Sequence, residues 1–275
     1  MILGHEKQIN ILKEILDSGK IPHAFLFYGR EKLGKRKVAF EFASWILNSS
    51  PINHPDFFYV EPVKNQISIE QIRELIWKIS LKPFKSKNKV AIIDSANRMS
   101  LDAQNCFLKT LEEPRGNSVI ILISEMENLL LPTIVSRCQK MKFFPVENSK
   151  IEEFLRKKGV DEKKIQRILK FTQGRPGVAI ELLENEKKLE EFEKFEKDLV
   201  KIENREIAFK FQKVKELFQE LDLFEILEVM SLHFKEKIFD EKAREILKEI
   251  QKIYFLTKTS NLDKRLALEI LFLKI

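Results

Sequence analysis

Residues 29–36 read Gly-Arg-Glu-Lys-Leu-Gly-Lys-Arg. The spacing of Gly29, Gly34 and Lys35 is that of a phosphate-binding loop, G-x-x-x-x-G-K-[ST]. Its glycines let backbone N–H groups close around an anion, and its lysine supplies a charge for phosphoryl oxygens. The last position breaks the pattern: Arg36 stands where a hydroxyl would ligate magnesium. A second element of the same chemistry is the apolar run Lys89-Val90-Ala91-Ile92-Ile93-Asp94. In a hydrolysing site the terminal Asp helps to hold magnesium, and a following Glu orients the attacking water. Asp94 is present, but Ser95 replaces the Glu. Both departures fall at positions tied to hydrolysis. Gly29, Gly34, Lys35 and Asp94 therefore read as a degenerate nucleotide site, with no cofactor and no metal expected.

A phosphate loop needs a strand before it and a helix after it. His23 to Tyr28 reads as a short buried strand, and Lys37 to Leu47 as the helix that follows. A helix over residues 5–18 precedes them, with an apolar stripe at Ile9, Ile11, Leu12, Ile15 and Leu16. Asp56–Val60 and 118–124 read as further strands, and 140–144 as a short one. Ser68 is a helix N-cap, and a helix over 101–113 is stopped by Pro114. Continuous apolar strands alternating with helices predict a parallel sheet covered on both faces. After Pro145 the pattern turns helical, with a Gly174-Arg175-Pro176-Gly177 turn and no glycine beyond it. The expected fold is α/β: a phosphate-loop sheet domain over 1–147, a small helical domain over 148–186 and an all-helical domain over 187–275. Dense apolar positions in the last segment, from Phe209 and Phe211 to Leu271 and Leu273, exceed what one amphipathic helix buries. A bundle that also packs on partners is the expectation there, against a self-contained bundle.

The 275 residues carry a net charge of +7. The excess is uneven: 22 Lys/Arg against 16 Asp/Glu in residues 1–150, a balance of +6, and 27 against 26 in the rest. A polyanion partner for the first domain and a solvated basic face both fit that balance. Lys82, Lys85 and Lys87, with Lys89 beside them, form a cluster; Arg98 and Lys109 flank the helix after the acid strand. Contacts from such residues to DNA phosphates would be independent of sequence and sensitive to salt. Cys106 and Cys138 are far apart and make no metal-type spacing, so both read as reduced structural thiols. The opening residues lack the layout of a signal peptide, and no apolar run has membrane-spanning length. A cytoplasmic protein without a membrane partner is expected.

Three further segments complete a set: Leu108-Lys109-Thr110-Leu111-Glu112-Glu113-Pro114, the strand ending at Ser124, and Leu131-Pro132-Thr133-Ile134-Val135-Ser136-Arg137-Cys138. With the two degenerate elements, their order and spacing resemble the AAA+ clamp-loader subunits of bacterial DNA polymerase III. The likeness runs from Gly4-His5-Glu6-Lys7 to Leu266-Ala267-Leu268-Glu269. It implies an AAA+ domain, a small helical domain and a C-terminal helical collar. It also implies partners: gamma/tau and delta subunits, a sliding clamp and primer-template DNA within the assembly. Ser136-Arg137-Cys138 would be the arginine-finger motif, Arg137 reaching the ATP site of a neighbouring subunit. A planar, permanently charged guanidinium suits that task. Read without the motif, Arg137 would more simply pair with a local carboxylate.

The chain departs from the family in two places. Residues 48–60 hold no cysteine, so the zinc module common in relatives is not expected. Where active relatives carry a sensor arginine, in a Gly-x-x-Arg turn, this chain has Gly177; Arg175 is two residues early. Ser124 falls at the first-sensor position and reads as a strand-end residue. The resemblance thus implies a subunit that does not hydrolyse ATP. An ATP-hydrolysing gamma/tau-like motor and a stand-alone DNA-binding protein are the alternatives.

Overall fold

The computed structural model describes residues 2–114, 116–202, 206–259 and 262–275. The chain packs as two compact units, residues 1–160 with 173–177, and residues 161–172 with 178–275. In the first unit the order is α1 (Glu6–Asp17), β1 (Ala24–Tyr28), α2 (Lys35–Leu47), β2 (Phe57–Val60), α3 (Ile69–Ser80), β3 (Lys89–Ile93), α4 (Leu101–Glu112), β4 (Ser118–Ser124), α5 (Pro132–Val135), β5 (Gln139–Lys142) and α6 (Asn148–Lys157). The five strands form one parallel sheet in the order β2-β3-β4-β1-β5.

Side chains alternate across a strand, and here both faces are covered. Phe25 and Phe27 of β1 pack with Val90, Ile92, Val119 and Ile121 against Val38, Ala39 and Phe42 of α2. Leu26, Ala91, Ile93, Ile120 and Leu122 pack the opposite way, against Ile72 and Leu75 of α3 and Phe107 and Leu111 of α4. This two-sided burial is why the strands read as continuous apolar runs. Ser68 caps α3 as expected: its hydroxyl accepts from Gln71 N–H, while the Gln71 side chain accepts from Ser68 N–H at 3.0 Å.

Several boundaries differ from the sequence reading by one or two residues, and four of them have a visible neighbour or turn behind them. Helix α2 starts at Lys35, not Lys37, because Gly34 at φ +99° turns the loop straight into the helix. Strand β1 starts one residue after His23, whose ring nitrogen bonds the Leu111 carbonyl at 3.0 Å. Strand β5 ends at Lys142, although Phe143 N–H still reaches Tyr28 O at 2.8 Å. Strand β2 starts after Asp56, which is fully buried and serves another purpose. Its carboxylate accepts the N–H groups of Phe84, Lys85 and Ser86 at 2.6, 2.7 and 2.9 Å, fixing the loop between α3 and β3. Burial works against that charge, but the three N–H donors prevail and hold the carboxyl below its ordinary range.

The second unit is helical: α7 (Glu162–Thr172), most of α8 (Pro176–Glu184), α9 (Glu186–Ile202), α10 (Ile207–Glu220), α11 (Leu223–Glu236), α12 (Glu241–Thr259) and α13 (Lys264–Lys274). Phe192, Phe195, Leu217, Met230, Ile250 and Phe272 are among its buried side chains. The Lys188 ammonium bridges Glu181, at 2.6 Å, and Glu225. Ile207, Phe209, Leu266, Ile270 and Leu273 remain exposed, so the apolar density expected here is only partly used inside the unit. No helix among the described residues is long and apolar enough to cross a membrane.

Candidate functional site

The degenerate loop leaves the C-terminal end of β1, where parallel sheets carry their ligand sites. Gly29 lies at φ +146°, and a Cβ there would stand 2.5 Å from Phe143 O, so the position requires glycine. Lys35, only 6% exposed, turns its ammonium back onto the loop. It donates to the carbonyl of Gly29 and, at 2.7 Å, to that of Arg30. His5 braces the next turn, its Nε2 bonding Leu33 O at 2.7 Å. Burial lowers the His5 pKa, favouring the neutral ring whose Nε2–H donates to that carbonyl.

The 173–177 turn closes on the same loop. Arg30 Nη1 donates to Gln173 Oε1 at 2.9 Å, and Gly177 N–H donates to Lys32 O at 2.8 Å. A Cβ at residue 177 would meet Lys32 O at 2.8 Å and Lys32 Cα at 3.1 Å. Gly177 is therefore a close backbone approach. Gly177 lines the cavity beside the loop, a space of about 540 Å³. Arg175, the early arginine, is almost fully buried.

Asp94 sits on the cavity wall at the end of β3. Its Oδ2 accepts from the Tyr59 hydroxyl at 2.9 Å, and its Oδ1 from Ser95 N–H at 2.7 Å. The Arg36 guanidinium stands over the Tyr59 ring at 4.9 Å and the Phe40 ring at 5.7 Å, with Nε 3.9 Å from Asp94 Oδ2. Burial, then the Asp94 charge, pushes the Tyr59 pKa far up, so this hydroxyl stays a donor. A protein cation and a tyrosine thus occupy the Asp94 carboxylate. Ser124, in the buried end of β4, spends its hydroxyl on Met126 O at 2.7 Å.

The Ser136-Arg137-Cys138 segment lies elsewhere in the unit, after α5. Gln104 of α4 accepts from Leu131 N–H at 2.9 Å and so ties the start of α5 to α4. Arg137 Nη2 donates to Glu112 Oε1 at 2.6 Å, and Nη1 donates to Thr133 O at 2.9 Å. The local carboxylate pair is present, and the side chain is still 34% exposed. Ser136 bonds Thr133 O at 3.1 Å. Cys138 is buried, and burial pushes its thiol up to about 12, which suits an inert packing residue.

The basic candidates do not form one patch. Lys82, Lys85 and Lys87 are exposed on the loop fixed by Asp56, before β3. Arg98, bonded to Asn65 Oδ1 at 3.0 Å, follows β3 at the opposite end of that strand. Lys109 lines a groove with Trp77 and Ser80, near the end of α3. Lys89 leaves the cluster altogether: it is buried, its ammonium on Lys78 O at 2.5 Å and over the Phe58 ring. Sequence reasoning passed over Phe84, 85% exposed among the three lysines, although Lys82-Pro83-Phe84-Lys85-Ser86-Lys87 sets an aromatic ring between basic residues. It also missed Tyr59, which no motif position marks, and the pairing of Glu112 with Arg137, although Glu112 lies within the 108–114 segment.

A family model described as DNA polymerase III, delta subunit, matches residues 4–147. Subunit delta' of DNA polymerase III from Pseudomonas aeruginosa is 35% identical over 135 residues, covering 42% of this chain and 41% of that protein. Subunit delta' from Bacillus subtilis is 31% identical over 194 residues, covering 65% and 59%. The chain spans about half the length of the curated relatives it matches. Among solved structures, a DNA polymerase III gamma subunit-related protein from Thermotoga maritima aligns over 97% of both chains, with a TM-score of 0.52 and 20% identity. The RuvB Holliday junction branch migration motor of the same organism aligns over 92% of this chain and 77% of its own, with a TM-score of 0.52 and 16% identity. At such identities these two likenesses show the fold alone, a parallel sheet followed by helices.

Proposed function

The chain belongs to the DNA polymerase III delta-subunit family, and on that premise we propose that it is the delta prime subunit of a bacterial clamp loader, one that does not hydrolyse ATP itself. It acts in the cytoplasm within an assembly of gamma/tau and delta subunits that loads the sliding clamp on primer-template DNA. Residues 1–147 serve as the AAA+ domain, 148–186 as the small helical domain and 187–275 as the collar that joins the assembly. Exposed apolar side chains on α10 and α13 support that last assignment.

The observation that carries the non-hydrolysing reading is the Arg36 guanidinium 3.9 Å from Asp94 Oδ2. Magnesium would have to share this carboxylate with the Arg36 guanidinium and would find no hydroxyl ligand from the loop. Ser95 offers no base, and Lys35 is committed to its own loop carbonyls. These residues do not fit magnesium-ATP chemistry, and no hydrolytic step is assigned to them. The contribution of the subunit to hydrolysis is Arg137, lent to an adjacent ATP site, where a trans-acting arginine is worth roughly 10³-fold or more. Lys82, Lys85, Lys87 and Lys109 remain candidates for DNA phosphates at one end of the sheet, with Arg98 apart from them.

A steady-state assay of the isolated chain tests the first claim. No magnesium-dependent ATP turnover above background is expected. Turnover that disappears in Lys35→Ala would make the chain a motor subunit instead. Gel filtration of residues 1–186 with gamma/tau and delta subunits tests the collar: the truncated chain should elute alone, and co-elution would place the main attachment elsewhere.

A further inference from the structure

Arg137 does not reach outward from an unsupported loop. Two elements hold it, the single turn of α5 and the C-terminal end of α4. Nη1 takes the Thr133 carbonyl of α5 at 2.9 Å, and Nη2 takes the carboxylate of Glu112, the last residue of α4, at 2.6 Å. Unpaired carbonyls at helix ends favour a cation and disfavour a carboxylate. Glu112 is therefore poorly placed by itself, and the guanidinium offsets that cost. The two elements are fixed to each other through Gln104 and Leu131, and Phe107 and Leu111 bury α4 against the sheet. The two terminal nitrogens are thus held by rigid parts of the fold, while Nε bonds nothing among the described residues.

We propose that Glu112 is a positioning residue for Arg137: its carboxylate fixes the guanidinium plane so that the remaining donors face away from the subunit. The inference rests on the reading of Arg137 as a group lent in trans. Its physical basis is preorganisation. A free arginine side chain samples many rotamers, and a group that must meet developing charge in a neighbouring site loses effectiveness when displaced by an ångström. A half-exposed ion pair contributes little to folding stability. Removing Glu112 therefore changes where the guanidinium sits more than whether the domain folds.

The test uses the full chain assembled with gamma/tau and delta subunits, primed DNA and sliding clamp. ATP turnover and clamp loading are measured for the parent, Arg137→Ala, Glu112→Ala, Glu112→Gln and the Arg137→Ala/Glu112→Ala double variant. Glu112→Ala should lower the clamp-loading rate about tenfold, and by no more than Arg137→Ala does. The KM for ATP should stay at the parental value, because the neighbour's nucleotide pocket is untouched. Glu112→Gln, which keeps an oxygen acceptor for Nη2, should retain most of the rate. Most tellingly, the double variant should match Arg137→Ala, because a residue acting only through Arg137 has nothing left to position. A parental rate in Glu112→Ala, or losses that multiply in the double variant, would overturn the inference and leave the trans reading of Arg137 standing. A parental rate in Arg137→Ala would overturn both.

Discussion

Lys35 separates a working phosphate loop from a structural one, because the two roles place its ammonium differently. In a working loop the lysine waits for phosphoryl oxygens. Here it donates to the carbonyls of Gly29 and Arg30 and is almost wholly buried. Hydrogen bonds to a charged group contribute ~1.5–3 kcal/mol each, and the desolvation cost of a buried ammonium cancels part of that sum. In Lys35→Met the apolar stem is replaced at similar length, but both carbonyls lose their donor. The net destabilisation should be about 2 kcal/mol. For a unit of this size, residues 1–160 with 173–177, that corresponds to a fall in Tm of ~4–8 °C. A nucleotide ligand makes the opposite prediction. Were Lys35 a phosphate ligand, ATP at a hundred times its Kd would stabilise the fold by about 2.7 kcal/mol, raising Tm by several degrees. Differential scanning fluorimetry of the parent and Lys35→Met, each with and without 'saturating' magnesium-ATP, reads both effects. The expected pattern is a lower Tm in the variant and no ATP shift in either protein. An ATP-induced rise that vanishes in Lys35→Met, with an unchanged Tm in the absence of nucleotide, would refute the structural role.

Three other outcomes follow from the same contacts. Gly177→Ala forces a Cβ to within 2.8 Å of Lys32 O; a loss of ~1–3 kcal/mol and faster amide exchange at Lys32 and Leu33 are expected, and unchanged exchange would argue that the turn does not clamp the loop. Asp56→Ala strips three N–H groups of their acceptor and should cost about 3 kcal/mol. Because the folded-state pKa of Asp56 is depressed, its contribution is present above the unfolded value of 3.8 and lost as pH falls through the folded value; urea titrations at pH 7 and pH 3 should therefore show the gap between parent and variant shrinking in acid, and a constant gap would assign the effect to packing. Arg36→Thr restores a hydroxyl beside Lys35 but should give no ATP turnover in a phosphate-release assay, since Ser95 supplies no base and Lys35 stays tied to its loop; turnover in this single variant would show that Arg36 alone blocks the site.

Much of the sheet unit was legible because its signals are local. The Gly29–Gly34–Lys35 spacing, the apolar runs of β1, β3 and β4, and the Ser68 cap each depend on residues within a few positions of one another. The strand errors of one or two residues arose where a distant partner intervened, as Asp56 did by turning to Phe84, Lys85 and Ser86. Lys89 was misplaced among the exposed lysines because charge alone suggested the surface; its stem instead crosses the Phe58 ring to reach a carbonyl on α3. Sequence spacing could not pair Glu112 with Arg137, 25 residues apart, or Lys32 with Gly177, because those contacts are made by the packing of whole elements. Phe84 was within reach of the sequence, lying between lysines, but only the fold of its loop shows the ring exposed.

The degenerate positions illustrate why absence in a motif is an incomplete description. Read along the chain, Arg36, Ser95 and Gly177 are three missing parts of a hydrolytic site. In the folded unit each of these positions has a neighbour that bonds or packs against it. Arg36 lies against Tyr59 and Asp94, Ser95 N–H donates to Asp94 Oδ1, and Gly177 N–H holds Lys32 O. Lys35, which the motif retains, has been drawn into the same local network. Arg36→Thr or Gly177→Arg would therefore disturb a contact, whereas the bond at Ser95 is made by the backbone N–H and is open to any residue there but proline. A larger residue at 177 must first break the approach of that turn to the loop, and a threonine at 36 leaves Tyr59 and Asp94 without their cation. On the reading proposed above, hydrolysis would require these changes together with release of Lys35, and each single change is expected to lower stability. On the non-hydrolysing reading proposed above, the contacts made at positions 36 and 177 and by Lys35 are what hold the site in that form.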